Sequence, residues 1–166
     1  MDRRFRSSPR SNCYLIFQIC NRKLGCFAPS LVAMGGSKLR NAPAISIVDD
    51  DESVRVAMKE MVESFGYRAA AFASGAEFLA SQLLRESACL IADVRMPGGS
   101  GLDLHEQLIA SGHSIPTIFV TAFPDERNRS RAMKSGAIAY LSKPCSRNHL
   151  LNHIRVALAP RSARGD

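Results

Sequence analysis

Apolar and polar positions follow a regular pattern from Ala44 onward, and this pattern predicts strands and helices in strict alternation. Short apolar runs of about four to eight residues are typical of strands buried on both faces. Longer segments with apolar positions three or four residues apart are typical of helices packed on one side. Strands are predicted at 44–49, 67–72, 89–94, 116–123 and 137–144. Helices are predicted at 51–66, 74–84, 102–112, 125–136 and 146–158.

The order of these elements predicts an α/β fold of the (βα)5 type. Strands that alternate with helices of these lengths form a doubly wound, five-stranded parallel sheet with helices on both faces. Ligands of such sheets bind beyond the carboxyl ends of the strands. We therefore expect the residues that follow the strands to meet at one edge of the sheet.

The segments outside this pattern differ in composition and are expected to lie outside the folded domain, which is predicted at 42–159. Residues 1–41 combine basic residues with a short apolar run. Two interpretations remain, a disordered leader or an extension upstream of a true start at Met34, and we favour the second. Residues 160–166 are expected to be a disordered tail. The apolar run is far shorter than the ~20 residues of a membrane span, so no membrane partner is expected.

Charge and cysteine content limit the functions that the chain can have. The net charge is +7, but residues 44–159 carry 12 basic and 13 acidic side chains, a net charge of −1. Basic composition therefore does not by itself indicate nucleic-acid binding. The five cysteines show no C-x-x-C spacing and no accompanying histidine cluster, so neither a zinc site nor a disulfide framework is expected. This cysteine usage predicts a reducing, cytoplasmic location.

The basic residues of the fourth helix and the histidines are predicted to have no part in a catalytic or metal site. The fourth helix has few apolar residues, which makes it a candidate mobile element. Its arginines are expected to form a solvated face, with a partner-docking surface as the alternative: Arg127, Arg129 and Arg131. The histidines are expected to be surface or helix residues: His105, His113, His149 and His153.

Reactive side chains stand at the ends of four predicted strands. Asp49 and Asp50 end the first strand, Asp93 the third, Thr121 the fourth and Lys143 the fifth. Adjacent carboxylates need a compensating cation, since one of them would otherwise be driven toward its neutral form. Mg²⁺ takes oxygen ligands of this kind, usually one or two carboxylates with waters and a phosphate. The alternative for the acids of the first strand is that they cap the next helix.

The remaining strand-end residues complete a site that can accept a phosphoryl group. Asp93 stands alone after the central strand, and an aspartate is a competent nucleophile toward phosphorus. Lys143 can attract a phosphoryl oxygen electrostatically, and the Thr121 hydroxyl can bond another.

Four motifs of the chain resemble the receiver domain of bacterial two-component response regulators, over about residues 43–158. They are VDDDESVR (48–55), DVRMPGGSGLDL (93–104), IFVTAF (118–123) and AYLSKP (139–144). The details are most similar to the nitrogen-fixation-regulator (FixJ-like) branch. The resemblance implies a flavodoxin-like sheet with strand order 2-1-3-4-5.

The resemblance also implies a role for each residue of the site. Asp49 and Asp50 would bind Mg²⁺ together with Asp93 and the backbone carbonyl of Arg95. Asp93 would be the phosphoacceptor, and Lys143 and Thr121 would contact the phosphoryl group. Thr121 and Tyr140 would be the switch residues, with Tyr140 rotating inward when the phosphoryl group draws on Thr121.

Three further positions are singled out by the resemblance. Gly101 matches the glycine that the family places eight residues after the acceptor. Lys143-Pro144 matches a cis peptide bond. Cys145 departs from the pattern, because the FixJ-like branch usually has phenylalanine there, and altered packing at the fifth helix is expected.

The function implied by the resemblance is that of a stand-alone signalling domain rather than an enzyme. A sensor histidine kinase or a phosphotransfer protein would donate the phosphoryl group. The output would reach an unknown downstream protein through the face formed by the fourth helix (125–136), the fifth strand (137–144) and the fifth helix (146–158). Its only chemistry would be Mg²⁺-dependent self-phosphorylation and slow self-dephosphorylation, and it would dimerise through helix 4 and strand 5.

Two other functions are weighed against this one. D-x-D-x-S at 49–53 resembles the haloacid-dehalogenase-like phosphatases, with Asp49 as nucleophile. Those enzymes need further acids after their lysine to hold Mg²⁺, and the only acid after Lys143 in this sequence is Asp166. A truncated DNA-binding transcriptional regulator is the second alternative. Only 22 residues follow Pro144, fewer than the ~60 of a helix-turn-helix output domain, so no direct DNA binding is expected.

Overall fold

The computed structural model describes residues 42–160, so the expectations for residues 1–41 and 161–166 lie outside the described residues. The strands are β1 (Ala44–Val48), β2 (Arg68–Phe72), β3 (Ser87–Ala92), β4 (Thr117–Thr121) and β5 (Ala139–Ser142). The helices are α1 (Glu52–Ser64), α2 (Gly75–Ala80), α3 (Gly101–Ala110), α4 (Glu126–Lys134) and α5 (Arg147–Leu158). A 3₁₀ turn (Gln82–Leu84) and a short antiparallel pairing of Arg95–Met96 with Gly99–Ser100 complete the regular structure of this part of the chain.

The strands form one parallel sheet in the order β2-β1-β3-β4-β5, which confirms the predicted flavodoxin-like α/β fold. Successive residues of a strand point to opposite faces, so each strand contributes to two apolar clusters. One cluster packs α1 and α5 against the sheet, and the other packs α2, α3 and α4 against the opposite face. No helix within residues 42–160 is long and apolar enough to cross a bilayer.

Helix α2 is shorter than predicted. It begins after Ser74, whose hydroxyl accepts a hydrogen bond from the Glu77 amide at 3.1 Å, and it ends at Ala80. Ser81 takes an extended conformation, and its hydroxyl donates to the Phe78 carbonyl at 2.8 Å. A serine side chain that bonds the backbone in this way competes with helical hydrogen bonding. The chain therefore continues as a 3₁₀ turn instead of extending the helix to residue 84.

Helix α4 is attached to the domain mainly through polar contacts. Ala132 is its one buried residue. Arg131 donates to Asp103 at 2.7 Å and to the two carboxylate oxygens of Glu106 at 2.8 and 2.7 Å, which ties α4 to α3. Arg131 is exposed, as predicted for a solvated face, and its guanidinium also pairs with acids on another helix.

His105 is a buried residue of α3, not a surface one, and is only 4% exposed. Its Nε2 lies 3.2 Å from the carbonyl oxygen of Ser135, just past the end of α4, and donates to it when that nitrogen carries the proton. The ring meets Phe119 edge-on with centroids 5.7 Å apart, while Nδ1 is buried without a partner. Burial lowers the pKa of His105, so the folded state favours the neutral ring. His105 lies four residues after Gly101 and three residues before Leu108, and this helical spacing is the sequence pattern that indicates its burial.

Candidate functional site

The loop after β1 carries three adjacent carboxylates, and only one of them caps the following helix. Asp51 caps α1, because its carboxylate accepts the Ser53 amide at 2.9 Å. Burial alone would raise the pKa of Asp51, but hydrogen bonds led by that of the Ser53 hydroxyl outweigh it and lower the pKa. The Arg55 guanidinium donates to the backbone carbonyls of Asp49 and Asp50 at 2.8 and 2.9 Å and fixes the loop. The capping alternative therefore applies to Asp51, and the other two side chains are not needed for it.

Lys143 brings the ends of three strands together. Asp93 follows β3 directly and is 8% exposed, and Asp49 follows β1 and is 3% exposed. The Lys143 ammonium lies 3.0 Å from Asp93 Oδ2 and 2.5 Å from Asp49 Oδ2. The other Asp93 oxygen accepts the Arg95 amide at 3.3 Å. The residues that sequence analysis placed at the carboxyl edge of the sheet are thus in contact, although Lys143 lies 50 residues from Asp93 along the chain.

The electrostatics of this group leave excess negative charge. Burial disfavours the charged form of Lys143, but Asp49 and Asp93 outweigh burial and raise the pKa of its ammonium. Burial also raises the pKa of Asp49; the Lys143 charge opposes this shift without cancelling it, and the Asp93 carboxylate adds to it. One ammonium group therefore does not fully offset the cost of burying these acids.

The acids fit a hard divalent cation. Asp49, Asp50 and Asp93 each offer one carboxylate oxygen, and these three oxygens lie within 4.8 Å of one another. An all-oxygen set with excess negative charge suits Mg²⁺ and offers no nitrogen or sulfur ligand to a softer metal. The raised pKa of Asp49 supports the same fit, because a group that resists ionisation gains from added positive charge.

Thr121 and Tyr140 lie on the two strands beyond the pocket. Thr121 ends β4 and is fully buried; its hydroxyl accepts the Phe123 amide at 3.3 Å, and its carbonyl accepts the Lys143 amide at 2.7 Å. Tyr140 is 5% exposed, with its hydroxyl buried and unpartnered. Burial raises the pKa of Tyr140. The ring that was expected to rotate inward is therefore already inside in this structure.

Gly101 allows α3 to pack closely against the backbone of Asp93. A Cβ at this position would lie 2.1 Å from the Asp93 carbonyl oxygen and 3.0 Å from its carbonyl carbon. The Gly101 amide also donates to the Val94 carbonyl at 3.2 Å. The position that the resemblance singled out therefore has a steric reason, since any side chain would push α3 away from Asp93.

The segment after Lys143 follows the pattern that the resemblance implied. The Lys143-Pro144 peptide bond is cis. Cys145, which stands where phenylalanine is usual, is 7% exposed and packs in the same apolar cluster as Leu150 and Ile154 of α5. The smaller side chain is accommodated within the core.

Two exposed side chains beside the pocket were missed by sequence analysis. The Arg95 guanidinium lies 5.4 Å from the centre of the Phe123 ring and 3.6 Å from Asp125 Oδ2. Phe123 is 51% exposed, one of the largest exposures of any apolar side chain within residues 42–160. Only the position of Arg95 in its loop was predicted, because its side-chain partners lie on a different loop.

Comparison with known proteins agrees with this geometry. Residues 45–155 match the family described as the response regulator receiver domain. The response regulator protein TmoT of Ectopseudomonas mendocina is 42% identical over 114 residues, which cover 69% of this chain and 52% of that protein. The transcriptional regulatory protein FixJ of Azorhizobium caulinodans is 33% identical over 121 residues, which cover 73% of this chain and 57% of that protein. The chain thus spans about half the length of the curated relatives it matches.

Solved structures give the same result. The response regulator StyR has a TM-score of 0.66 at 40% identity, with 70% of this chain and 59% of that chain covered. A CheY-like receiver domain from Methanospirillum hungatei has a TM-score of 0.66 at 27% identity, with 75% of this chain and 99% of that chain covered. Receiver domains are signalling domains that interact with histidine kinases or phosphotransfer proteins, and the phosphatase alternative is not favoured. The chain belongs to the response-regulator receiver-domain family of two-component systems.

Proposed function

We propose that Asp93 accepts a phosphoryl group from a partner histidine kinase or phosphotransfer protein. The observation that carries this proposal is the contact of the Lys143 ammonium with the Asp93 carboxylate at 3.0 Å. In the transfer, an Asp93 oxygen attacks phosphorus, the bond from phosphorus to the donor's imidazole nitrogen breaks, and its electron pair stays on that nitrogen. The product is an acyl phosphate on Asp93.

The acidic residues of the pocket would hold Mg²⁺. Asp49, Asp50 and Asp93 would provide carboxylate oxygens, and Arg95 would provide its backbone carbonyl. When bound, the ion supplies positive charge against the oxygens of the transferring group. The Arg55 contacts to the loop carbonyls keep the first two acids in place for this role.

Lys143 and Thr121 would hold the phosphorylated state. The Lys143 ammonium is already oriented by two carboxylates and would exchange its Asp93 contact for a phosphoryl oxygen, a charge-assisted bond. Among residues 42–160, the Thr121 hydroxyl has one hydrogen bond, from the Phe123 amide at 3.3 Å, so turning it toward the phosphoryl group gives up little. Thr121 and Tyr140 would then act as the switch residues.

The output would pass through the α4–β5–α5 face to a downstream protein, with dimerisation through α4 and β5. One hydroxyl bond to a charged acceptor contributes about 1.5–3 kcal/mol, whereas moving a two-state population from 1:99 to 99:1 needs roughly 5.5 kcal/mol. Movement of α4 or dimerisation must supply the difference. The single buried residue of α4, Ala132, supports its displacement at low cost.

DNA binding is the second candidate function, since transcriptional regulatory proteins are among the relatives. We retain the prediction that this chain does not itself bind DNA, because residues 44–159 carry a net charge of −1. We also retain the prediction of a cytoplasmic location. A gel-shift assay of the full chain with duplex DNA, at physiological salt and with an excess of non-specific competitor DNA, would show no complex.

The decisive experiment is incubation with acetyl phosphate and Mg²⁺, followed by intact mass spectrometry. One added phosphoryl group is expected, and the label should be absent from Asp93→Asn and from samples treated with a chelator. Asp103→Asn is the matched control, because Asp103 is an exposed acid of α3 that contacts Arg131 outside the pocket. If Asp93→Asn labels as well as the control variant, Asp93 is not the acceptor.

A further inference from the structure

Helix α5 carries two histidines one turn apart on the same side, a feature that the phosphoryl-acceptor site does not use. His149 and His153 are separated by four residues, so their side chains are neighbours on the helix surface. Their rings are in contact, with centroids 6.2 Å apart and an edge-to-face orientation.

The two rings line a groove on the α4–β5–α5 face. The groove also contains Arg129 of α4, Tyr140, Leu141 and Ser142 of β5, and Pro144 and Cys145 before α5. No carboxylate from residues 42–160 lines it. Its ligand atoms are therefore of a different type from those of the acidic pocket. Imidazole nitrogen is a good ligand for zinc, nickel and copper, and a poor one for Mg²⁺.

We propose that His149 and His153 form a binding site for a divalent first-row transition-metal ion on this face. Two histidines in the i, i+4 relation on one helix face are the arrangement by which helical motifs present imidazoles to one metal ion. The edge-to-face contact of the two rings, with centroids 6.2 Å apart, places both imidazoles within reach of one shared ion. His149 is exposed, so its ring is free to turn toward a shared ion.

Cys145 is excluded from the ligand set although it lies four residues before His149 and lines the same groove. Its thiol is buried, and burial raises its pKa, so the thiolate needed for metal binding is disfavoured. A site with two protein ligands leaves its other coordination positions to water. The guanidinium of Arg129 lines the same groove and opposes a cation, so the two imidazoles must supply the affinity.

The test is a calorimetric titration of the full chain with Ni²⁺, in a large excess of Mg²⁺ to occupy the acidic pocket. One Ni²⁺ is expected to bind at this site. His149→Ala and His153→Ala should each weaken Ni²⁺ binding by roughly 10–100-fold or more. Loss of a residue that only supports a ligand already costs a metal site that much affinity. His113→Ala, which removes a histidine elsewhere, should leave the affinity unchanged.

A transposed variant separates the geometry from the histidine content. In N148H/H149N the chain keeps its composition and charge, but the new histidine is five residues from His153 and points to another side of the helix. This variant should lose the site while circular dichroism shows an unchanged fold. If it binds Ni²⁺ as tightly as the unaltered chain, or if the double variant H149A/H153A does, the proposed site does not exist. Neither result bears on phosphorylation of Asp93.

Discussion

Replacing Gly101 by alanine tests whether close backbone packing positions Asp93, the proposed phosphoacceptor. The added Cβ would lie 2.1 Å from the Asp93 carbonyl oxygen. Carbon and carbonyl oxygen make favourable contacts only from about 3.3 Å, so α3 and the Asp93 backbone must separate by roughly 1 Å. The Asp93 oxygen is a backbone atom and the new Cβ would be fixed to the first turn of α3, so neither can move aside as the end of a flexible side chain does.

The expected cost follows from the size of this overlap. Inserting a methyl group into a packed region costs about 1–3 kcal/mol, and an overlap with backbone belongs at the upper end of that range. Alanine regains up to about 1 kcal/mol in helix propensity, so a net loss of roughly 2–3 kcal/mol is expected for Gly101→Ala. At about 4 °C per kcal/mol, the Tm should fall by roughly 10 °C.

Gly99→Ala is the matched control. A Cβ at Gly99 meets no atom within 4 Å, and its φ lies outside the left-handed region. Thermal and urea unfolding should therefore give a change within about 0.5 kcal/mol of zero for Gly99→Ala. Acetyl phosphate labelling, followed by mass spectrometry, should be slowed in Gly101→Ala and normal in the control. If both variants unfold and label alike, contact between Gly101 and the Asp93 backbone does not position the acceptor.

Three other perturbations test contacts that only the structure reveals. Tyr140→Phe should leave the free energy of unfolding unchanged or raise it by up to about 1 kcal/mol, since the hydroxyl it removes is buried without a partner; a clear loss in urea unfolding would contradict this. Arg131→Ala should lower the free energy of unfolding by about 1 kcal/mol at low salt and by less at high salt, because its ion pairs are exposed. Arg127→Ala breaks no ion pair with another described residue and should leave the free energy of unfolding unchanged at both salt concentrations. The pKa of His105 is lowered in the folded state, so stability should fall as pH drops through its ordinary value of 6.5 in the unfolded chain, and an unchanged pH slope in His105→Gln would refute this.

The sequence was sufficient for the sheet and for the positions of the strand-end residues. Apolar runs and helical spacing follow from local burial, and parallel strands bring their carboxyl ends to one edge whatever the loops do. This is why Asp49, Asp93 and Lys143 could be placed together although the chain separates the outer two by 94 residues. The resemblance supplied the role of each.

Features that depend on side-chain contacts between distant elements could not be predicted in the same way. The partners of Arg131 lie 28 and 25 residues away on α3, and nothing in the composition of α4 indicates them. The inward position of the Tyr140 ring depends on how α4 and β5 pack, and strand alternation alone does not determine it. The early end of α2 arises from one hydroxyl, that of Ser81, bonding the backbone.

The charge of the pocket connects its geometry to its chemistry. Three carboxylates and one ammonium, when all are ionised, leave two net negative charges at the edge of a low-dielectric sheet, and the raised pKa of Asp49 shows that Lys143 does not offset them. A proton on Asp49 and a dication among the three acids are therefore alternative ways to remove the same excess charge. A protonated Asp49 carboxyl is a poor ligand for the dication, so acid and a chelator both remove the positive charge that transfer to Asp93 would use. We therefore expect acid and chelator to suppress labelling of Asp93 for one shared electrostatic reason.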